Sequence, residues 1–284
     1  MRRTLFVTDL DGTLLGPNGR LSPNSASLLA QAMEGGAFVS FATSRSWRDA
    51  MEALGSFLPN APCVASGGLL VADPAGGPPL RDLRLDRSTA VAVARAFMDS
   101  GVMSFVKCVA ADGRERILYR ELRHPGQRRY ASIGDGRFLR VDEYESFILS
   151  GGSSVGESWE PALIYTVEEK AAVAVVMDRL AALRRQGCRF EFLSFHDPYT
   201  GHEWIEALPE GADKGTAALF VKERVGAARM VAFGDGANDL SLFRAADHAV
   251  AVANAVPELK AVAVEVIGPA ADDSVAGYIL RMTR

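Results

Sequence analysis

The sequence predicts an α/β fold in which a parallel-sheet core is interrupted by an inserted α+β domain. Near both ends, short apolar strands alternate with amphipathic helical patterns, which is typical of βαβ units. Between them, apolar and charged residues alternate in the strands, as at 189–192, and this pattern indicates half-exposed antiparallel strands. The chain has 284 residues, enough for two domains of moderate size. We therefore expect a discontinuous core, 1–83 and 209–284, and an insertion at 84–208.

The first half of the core is expected to begin with strand 4–8 and a helix. Ser22 is an N-cap candidate, Pro23 fits the first helical position, and Gly35 and Gly36 end the apolar stripe. The elements expected next are a strand at 37–42, a helix from about Ser46 to Leu58 ended by Pro59, and short strands at 63–65 and 69–71.

Local sequence patterns also predict the elements of the inserted domain and of the second half of the core. In the insertion we expect helices at about 88–99 and 168–186, and a two-residue hairpin turn at Asp112 and Gly113. The βα alternation returns at Lys214. The elements expected there are a helix from Lys214, a strand at 229–233, a helix at 239–246, a strand at 249–253, a helix at 257–262 and a strand at 264–267.

Composition excludes several functional classes. The 31 Lys and Arg residues against 35 Asp and Glu leave a net charge of −4, which argues against a protein-wide surface for nucleic acid or anionic membrane. The sequence has no run of 18 apolar residues and no secretory signal pattern. Its three cysteines lie in or beside apolar runs, as reduced core residues do. We therefore expect a cytoplasmic protein, a monomer or small homo-oligomer, without nucleic-acid or membrane partners.

Two acidic residues follow the first strand, Asp9 and Asp11 in the segment 9–13. Ligands bind at the carboxyl edge of an open α/β sheet, and alternation puts these two residues on one side of the chain. Neighbouring carboxylates repel each other, and a divalent cation removes this conflict. Oxygen ligands suit Mg²⁺. The alternative is an ordinary surface turn, because aspartate and glycine are common in turns.

A second acidic segment, 235–239, follows the apolar strand at 229–233 and opens a helix. Its carboxylates are expected at the same sheet edge as Asp9. We also expect Asn238 or Asp235 to cap that helix, in addition to any chemical role. Two acidic turns at the ends of two parallel strands together predict a site for a hard cation.

Polar residues elsewhere point to an anion at this edge. Thr43 and Ser44 close the second strand, where hydroxyl and backbone N–H groups can hold a phosphate oxygen; capping the next helix is the alternative. Lys214 lies in the first turn of a helix, where the helix dipole disfavours a cation. A lysine there can neutralise a phosphate and a nearby carboxylate, although a solvated surface lysine would also explain it.

These segments, in this order, resemble the haloacid dehalogenase superfamily of phosphotransferases, specifically its Cof-like branch of sugar phosphatases with a C2B-type cap. The segments that carry the resemblance are Asp9–Leu14, Thr43, Lys214 and Gly234–Asp239. It covers essentially the whole chain. The resemblance implies a Rossmann-like parallel-sheet core, an inserted α+β cap domain and a bound Mg²⁺.

The resemblance also assigns roles. Asp9 would be the nucleophile that forms an aspartyl-phosphate, and Asp11 the general acid and then the base. Mg²⁺ would be held by Asp9, the backbone carbonyl of Asp11 and Asp235, with Asp239 as a further or indirect ligand. Thr43 and Lys214 would bind the transferring phosphoryl group. The positions assigned to phosphate or substrate contacts are Gly12, Ser44, Arg45 and Asn238, with a salt bridge as the alternative for Arg45.

The implied function is Mg²⁺-dependent hydrolysis of small phosphorylated metabolites, sugar phosphates above all. The alternative is a phosphomutase of the phosphomannomutase type, which uses the same aspartate pair. The sequence departs from the family pattern at two positions that concern substrate choice. Relatives commonly have glycine where Ser44 stands and asparagine where Ser66 stands.

Overall fold

The structure, a computed structural model, describes residues 4–110, 113–133, 137–151, 158–197 and 201–284. The chain divides into two compact units. We call Met1–Asp82 with Gly211–Arg284 the core domain, and Leu83–Glu210 the inserted domain. In the ranges described, no helix is both long enough and apolar enough to cross a membrane.

The secondary structure follows the expected alternation of strands and helices. In chain order, the strands are β1 (Thr4–Thr8), β2 (Phe38–Phe41), β3 (Cys63–Ala65), β4 (Leu70–Ala72), β5 (Arg81–Asp82), β6 (Phe105–Ala110), β7 (Glu115–Tyr119), β8 (Phe138–Arg140), β9 (Trp159–Glu168), β10 (Glu191–Asp197), β11 (His202–Leu208), β12 (Arg229–Gly234), β13 (His248–Val252) and β14 (Glu265–Ile267). The α-helices are α1 (Pro23–Glu34), α2 (Trp47–Leu54), α3 (Arg87–Asp99), α4 (Pro125–Ile133), α5 (Tyr144–Ser150), α6 (Lys170–Arg185), α7 (Lys214–Arg224), α8 (Leu240–Ala245), α9 (Pro257–Val262) and α10 (Ser274–Thr283).

The core domain is built on a parallel sheet in the order β14-β13-β12-β1-β2. Its central strands β1 and β12 are apolar because both of their faces are buried, as expected of parallel strands covered by helices. Thr8 pairs with Phe233, so β1 and β12 end side by side. The residues that follow these two strands therefore start from the same edge of the sheet.

Side-chain caps explain where three core helices begin. The hydroxyl of Ser22 accepts from the amide of Ser25, with Pro23 in the first helical position, as predicted. Ser46 caps α2 through the amide of Asp49. Asp213 caps α7 in the same way. The Asp213 cap matters for the candidate site because it fixes the start of α7, whose first residue is Lys214.

Helix α2 is shorter than the sequence suggested. We expected it to run to Leu58 and to be ended by Pro59, but it ends at Leu54. Gly55 follows with a positive φ of 64°, which glycine adopts easily and which stops the helix. The predicted C-terminal boundary is therefore wrong by about one turn.

Two features of the core domain were not expected from the sequence. Strand β5 adds to β3 and β4 to make a small antiparallel sheet. The chain also ends in helix α10, whose buried residues include Val275 and Ile279 and which packs against α1. Strand β5 is only two residues long and depends on its pairing with β4, whereas α10 carries buried apolar residues at helical spacing, a local pattern that the prediction overlooked.

The inserted domain is an α+β unit with a mixed sheet in the order β10-β11-β9-β6-β7-β8. Its strand pairs are antiparallel except β7 with β8. Buried residues of α3, α5 and α6 pack with the sheet in one apolar cluster. Helix α6 begins at Lys170 rather than at 168, because Glu168 is the last residue of β9. Strands β6 and β7 form the expected hairpin, although Asp112 lies outside the described residues. The predicted fold class is confirmed.

Candidate active site

Asp9 is the first candidate residue after β1. Its amide donates to the carbonyl of Phe233 at 2.9 Å, which extends the pairing of β1 with β12 by one residue. The residue is 5% exposed. A carboxylate buried to this extent is costly unless a charged or hydrogen-bonding partner compensates it.

Lys214 supplies that partner. Its Nζ lies 2.7 Å from Asp9 Oδ1 and 2.6 Å from Asp239 Oδ1, and the lysine is only 2% exposed. Lys214 is the first residue of α7, where the helix dipole repels a cation. Two carboxylates therefore hold a buried cation in an unfavourable position, and the alternative of a solvated surface lysine is wrong.

The electrostatics of this group are dominated by burial and by neighbouring charge. Burial raises the pKa of Asp9 well above its usual value; Lys214 opposes this effect, whereas Asp239 and Asp235 add to it. Burial alone would lower the pKa of Lys214, but the charges of Asp239 and Asp9 outweigh it and raise that pKa. Lys214 is therefore a fixed positive charge, and the raised pKa of Asp9 means that this carboxyl holds a proton more readily than usual.

Asp235 is packed against the turn that carries Gly12. Gly12 has φ 72°, and a Cβ there would lie 2.2 Å from Asp235 Oδ2. No side chain larger than hydrogen fits this close approach. The hydroxyl of Thr13 donates to Asp235 Oδ1 at 3.3 Å. Burial, followed by the charge of Asp239, raises the pKa of Asp235 to about 6.

Asp239 organises the turn at the end of β12. Its Oδ2 accepts from the amides of Asp235 and Gly236 at 3.0 and 3.1 Å, while Oδ1 accepts from Lys214. We expected Asn238 or Asp235 to cap the helix that opens here; that expectation is wrong, because Gly236 occupies the cap position, and the side chain of Asp239 accepts from its backbone amide. The turn folds back on itself, so that the side chain of Asp239, the last residue of the segment 235–239, lies within hydrogen-bond distance of the amide of Asp235, the first.

Three carboxylates of the core domain are close enough to share an ion. One oxygen from each of Asp9, Asp235 and Asp239 lies within 4.8 Å of the others. Lys214 compensates one of these three negative charges, so two remain when all three carboxylates are ionised. A divalent cation would neutralise them, and an all-oxygen donor set suits a hard ion. The residues present therefore fit a divalent metal.

Asp11 does not face Lys214 but Arg45. The guanidinium donates to both carboxylate oxygens, at 2.7 Å from Nε and 2.6 Å from Nη2. Of the two readings left open for Arg45, the structure contains the salt bridge.

Thr43, Ser44 and Asn238 form a polar group near this edge. Thr43 is 1% exposed, and its hydroxyl accepts from the amide of Arg45 at 3.2 Å. The side-chain amide of Asn238 donates to the hydroxyl of Ser44 at 3.3 Å. Neither Thr43 nor Ser44 caps α2, since Ser46 does so.

Asn254 is a residue of this region that the sequence reasoning missed. Its Nδ2 donates to the carbonyl of Gly12 at 2.7 Å, and its Oδ1 accepts from the amide of Ala270 at 3.0 Å. The amide of Val256 also donates to the carbonyl of Asp235 at 2.8 Å. The loop after β13 therefore holds both acidic turns. The available signal was a lone polar residue following an apolar strand at the sheet edge.

Known sequences match the chain along nearly its whole length. The family of haloacid dehalogenase-like hydrolases matches residues 6–124 and 192–279. HMP-PP phosphatase from Serratia proteamaculans is 27% identical over 99% of this chain and 95% of its own length. Pyridoxal phosphate phosphatase YbhA from Escherichia coli is 26% identical over 98% of both chains.

Solved structures share the same fold. A protein of the haloalkanoate (HAD) enzyme superfamily from Bacteroides thetaiotaomicron aligns with a TM-score of 0.78 at 17% identity, covering 99% of this chain and 95% of its own. The protein TM0651 from Thermotoga maritima aligns with a TM-score of 0.73 at 20% identity, covering 99% and 97%. At these identities the likeness concerns the fold.

Proposed function

The chain belongs to the haloacid dehalogenase-like hydrolase family and is a phosphatase of small phosphorylated metabolites; from this premise we propose that it is a Mg²⁺-dependent enzyme working through an aspartyl-phosphate on Asp9. The observation that carries the proposal is the buried Lys214, which bridges Asp9 and Asp239. A fixed cation beside a buried carboxylate lowers the repulsion that a phosphate dianion would otherwise meet.

Asp9 is suited to nucleophilic attack. Lys214 binds its Oδ1, and within the described residues no hydrogen bond occupies its Oδ2. In the first step an oxygen of Asp9 bonds to phosphorus while the bond from phosphorus to the substrate oxygen breaks. In the second step water attacks the phosphorus, inorganic phosphate leaves, and the Asp9 carboxylate is restored.

Asp11 is proposed as the acid and base of these steps. It would give a proton to the departing alcohol oxygen and later take one from the attacking water. Its side chain is about half exposed, which suits exchange with substrate and solvent. Arg45 occupies both of its oxygens in this structure, so that contact must loosen before a proton is transferred.

We assign the cation to Asp9, the backbone carbonyl of Asp11, and Asp235. Asp239 uses both carboxylate oxygens in hydrogen bonds to Lys214 and to two backbone amides, and this supports an indirect role for it. A bound Mg²⁺ would polarise the phosphoryl group and offset charge on the carboxylates.

Thr43 and Lys214 are proposed to bind the transferring phosphoryl group, together with backbone at Gly12. Ser44 and Asn238, already in contact with each other, would meet the phosphate or the rest of the substrate. We propose sugar phosphates as the favoured substrates, as the resemblance to the Cof-like branch suggests. We also infer a cytoplasmic location, which the three free cysteines support.

The direct test is phosphate release from a panel containing hexose phosphates, pyridoxal phosphate and HMP-PP, with Mg²⁺ and with EDTA. We expect release that requires Mg²⁺ and is lost in Asp9→Asn. The matched control is Asp142→Asn, an exposed carboxylate of the inserted domain, which should leave release unchanged. Conversion of hexose 1-phosphate to 6-phosphate with little release would contradict the hydrolase and favour a mutase. Release unaffected by Asp9→Asn would overturn the nucleophile assignment.

A further inference from the structure

A second group of side chains that could bind a metal belongs to the inserted domain. It consists of His124, Glu169 and His202, which we call the His-Glu-His cluster. His124 lies just before α4, Glu169 just before α6, and His202 begins β11. Three segments distant in sequence thus bring two imidazoles and a carboxylate together. We propose that this cluster binds a divalent transition-metal ion of the zinc type.

The spacing of the donor atoms supports an ion rather than hydrogen bonds. Nε2 of His124 lies 3.5 Å from Glu169 Oε1, and Nε2 of His202 lies 3.6 Å from the same oxygen. A good N–H···O hydrogen bond would be about 2.9 Å long. Ligands at about 2.0–2.2 Å in a tetrahedron around zinc are roughly 3.3–3.5 Å apart. The two nitrogen–oxygen separations therefore match the distance between two ligand atoms on one zinc ion, and all three donor atoms lie within 4.8 Å of one another.

The surroundings of the two imidazoles fit the same reading. Their side chains are 12% and 24% exposed, and their rings meet edge to face with centroids 4.3 Å apart. Nδ1 of His202 has no hydrogen-bond partner among the described residues, so no contact there fixes the tautomer of the ring, and Nε2 can present its lone pair to an ion. Glu169 is largely exposed, so an ion can enter from solvent.

The donor types select the metal. Two histidines and a glutamate form a known zinc-binding set, whereas Mg²⁺ and Ca²⁺ prefer oxygen ligands alone. Three protein ligands leave one coordination position for water or another small ligand. An ion held here would tie the chain before α4 to the beginning of α6 and to β11, and would stabilise the inserted domain.

One hydrogen bond must change when the ion binds. The amide of Gly126 donates to Nδ1 of His124 at 3.1 Å, so the ring proton of the neutral metal-free histidine is on Nε2. Coordination through Nε2 requires that proton to leave, and a proton is taken up at Nδ1 in place of the Gly126 contact. The loss of one backbone hydrogen bond should weaken the affinity about tenfold compared with a preformed site.

The test is Zn²⁺ binding to the full chain against a chromophoric chelator, in excess Mg²⁺ so that the core carboxylates are occupied. We expect one Zn²⁺ per chain, with affinity at least about tenfold lower in His124→Asn and in His202→Asn. The matched control is His196→Asn, because His196 lies 3.3 Å from Glu203 as a two-residue pair in the same domain. It should bind Zn²⁺ like the wild type.

Two further measurements keep the result independent of folding. Thermal unfolding in EDTA should show all three variants folded, since His202 Nδ1 has no partner to lose, His124 loses one hydrogen bond from Gly126, and His196 forms an exposed pair. ¹⁵N NMR of the imidazoles should show the proton of His124 moving from Nε2 to Nδ1 on adding Zn²⁺. No Zn²⁺ binding by the wild type, or equal binding by wild type and His202→Asn, would overturn the proposal. Neither result would affect the phosphatase assignment.

Discussion

The guanidinium of Arg45 binds both carboxylate oxygens of Asp11, at 2.7 and 2.6 Å. The two residues are 34 positions apart in sequence, and the contact joins the turn after β1 to the loop before α2. A bidentate pair fixes the orientation of the carboxylate as well as its position. The proposed acid and base is therefore held by a partner that it must release during catalysis.

Replacing Arg45 by lysine keeps a positive charge beside Asp11 but removes the two-pronged contact that orients its carboxylate. A lysine ammonium cannot hold both oxygens of Asp11 in a planar fork. We expect kcat/KM to fall about tenfold in Arg45→Lys, about 1.4 kcal/mol of transition-state stabilisation. Stability should change by less than about 1 kcal/mol, because both side chains are partly exposed. Steady-state phosphate release and urea unfolding measure the two effects.

The matched control for that variant is Arg20→Lys. Arg20 forms an ion pair with Glu52 on the surface of the same domain, with both side chains more than half exposed. Its kcat/KM should equal that of the wild type. Full activity in Arg45→Lys would mean that Asp11 works without the bidentate contact.

Removing the charge of Lys214 should destabilise the core domain. Lys214→Met leaves Asp9 and Asp239 buried without their cation, which costs about 3–5 kcal/mol of unfolding free energy when a buried pair is broken. The comparison is Lys222→Met, which breaks the more exposed pair with Asp247 and should cost about 1 kcal/mol or less. Equal losses in the two variants, measured by urea unfolding in EDTA, would contradict the role given to Lys214.

The raised pKa of Asp235, about 6, predicts a pH dependence of the metal-free protein. A carboxyl whose pKa is higher when folded stabilises the fold below its unfolded pKa, about 3.9, and loses that contribution as the pH rises through about 6. We expect the unfolding free energy in EDTA to fall between about pH 4 and 6, by roughly 1–2 kcal/mol after screening at this partly exposed site.

The variant Asp235→Asn isolates that effect, because it removes the titrating group and keeps its shape. The difference in unfolding free energy between wild type and Asp235→Asn should decline toward pH 6 and level off above it. Mg²⁺ should stabilise the wild type more at pH 7 than at pH 5, since it binds the ionised carboxylates. A difference that stays constant with pH would be inconsistent with a raised pKa at Asp235.

Asn254 is expected to position the turn that carries Gly12. Asn254→Asp keeps the acceptor for Ala270 but places a carboxylate oxygen against the carbonyl of Gly12. Because Gly12 packs on Asp235, the Mg²⁺ concentration for half-maximal activity should rise about tenfold. The control is Asn18→Asp in an exposed turn, which should leave it unchanged. A lower kcat with unaltered Mg²⁺ dependence would count against this role.

The parts of the fold that could be predicted were those with strong local patterns. The strand 4–8 and helix α9 have the predicted bounds because an apolar run defines the strand and Pro257, in the first helical position, marks the start of the helix. The end of α2 was predicted too late, because apolar residues after Gly55 continue the helical pattern, whereas the helix itself stops before Gly55. Helix α10, which packs against α1, was missed although its sequence carries a local signal, since the buried residues Val275 and Ile279 are one helical turn apart.

The carboxylates of the candidate site could be predicted from the sequence, but the hydrogen bonds that they form could not. Asp9 and Asp235 could be predicted because each follows an apolar strand, and Lys214 because it places a positive charge in the first turn of a helix. The structure brings the three residues together. The partners of Asp239 and the role of Asn254 depend on how loops fold back, which residue spacing does not determine. The His-Glu-His cluster was missed for the same reason, since its members are 45 and 33 residues apart in the chain.

The most direct test of the account is detection of the phosphoryl group on Asp9. Acid quench of the enzyme during turnover of a radiolabelled phosphate ester should trap a label that hydroxylamine releases, located by peptide mapping to the segment containing Asp9. Asp9→Asn should carry none, whereas Asp11→Asn should still be labelled or accumulate label, because water attack lacks its base. A wild-type enzyme that releases phosphate without any such label, or a label on another residue, would contradict the proposed mechanism.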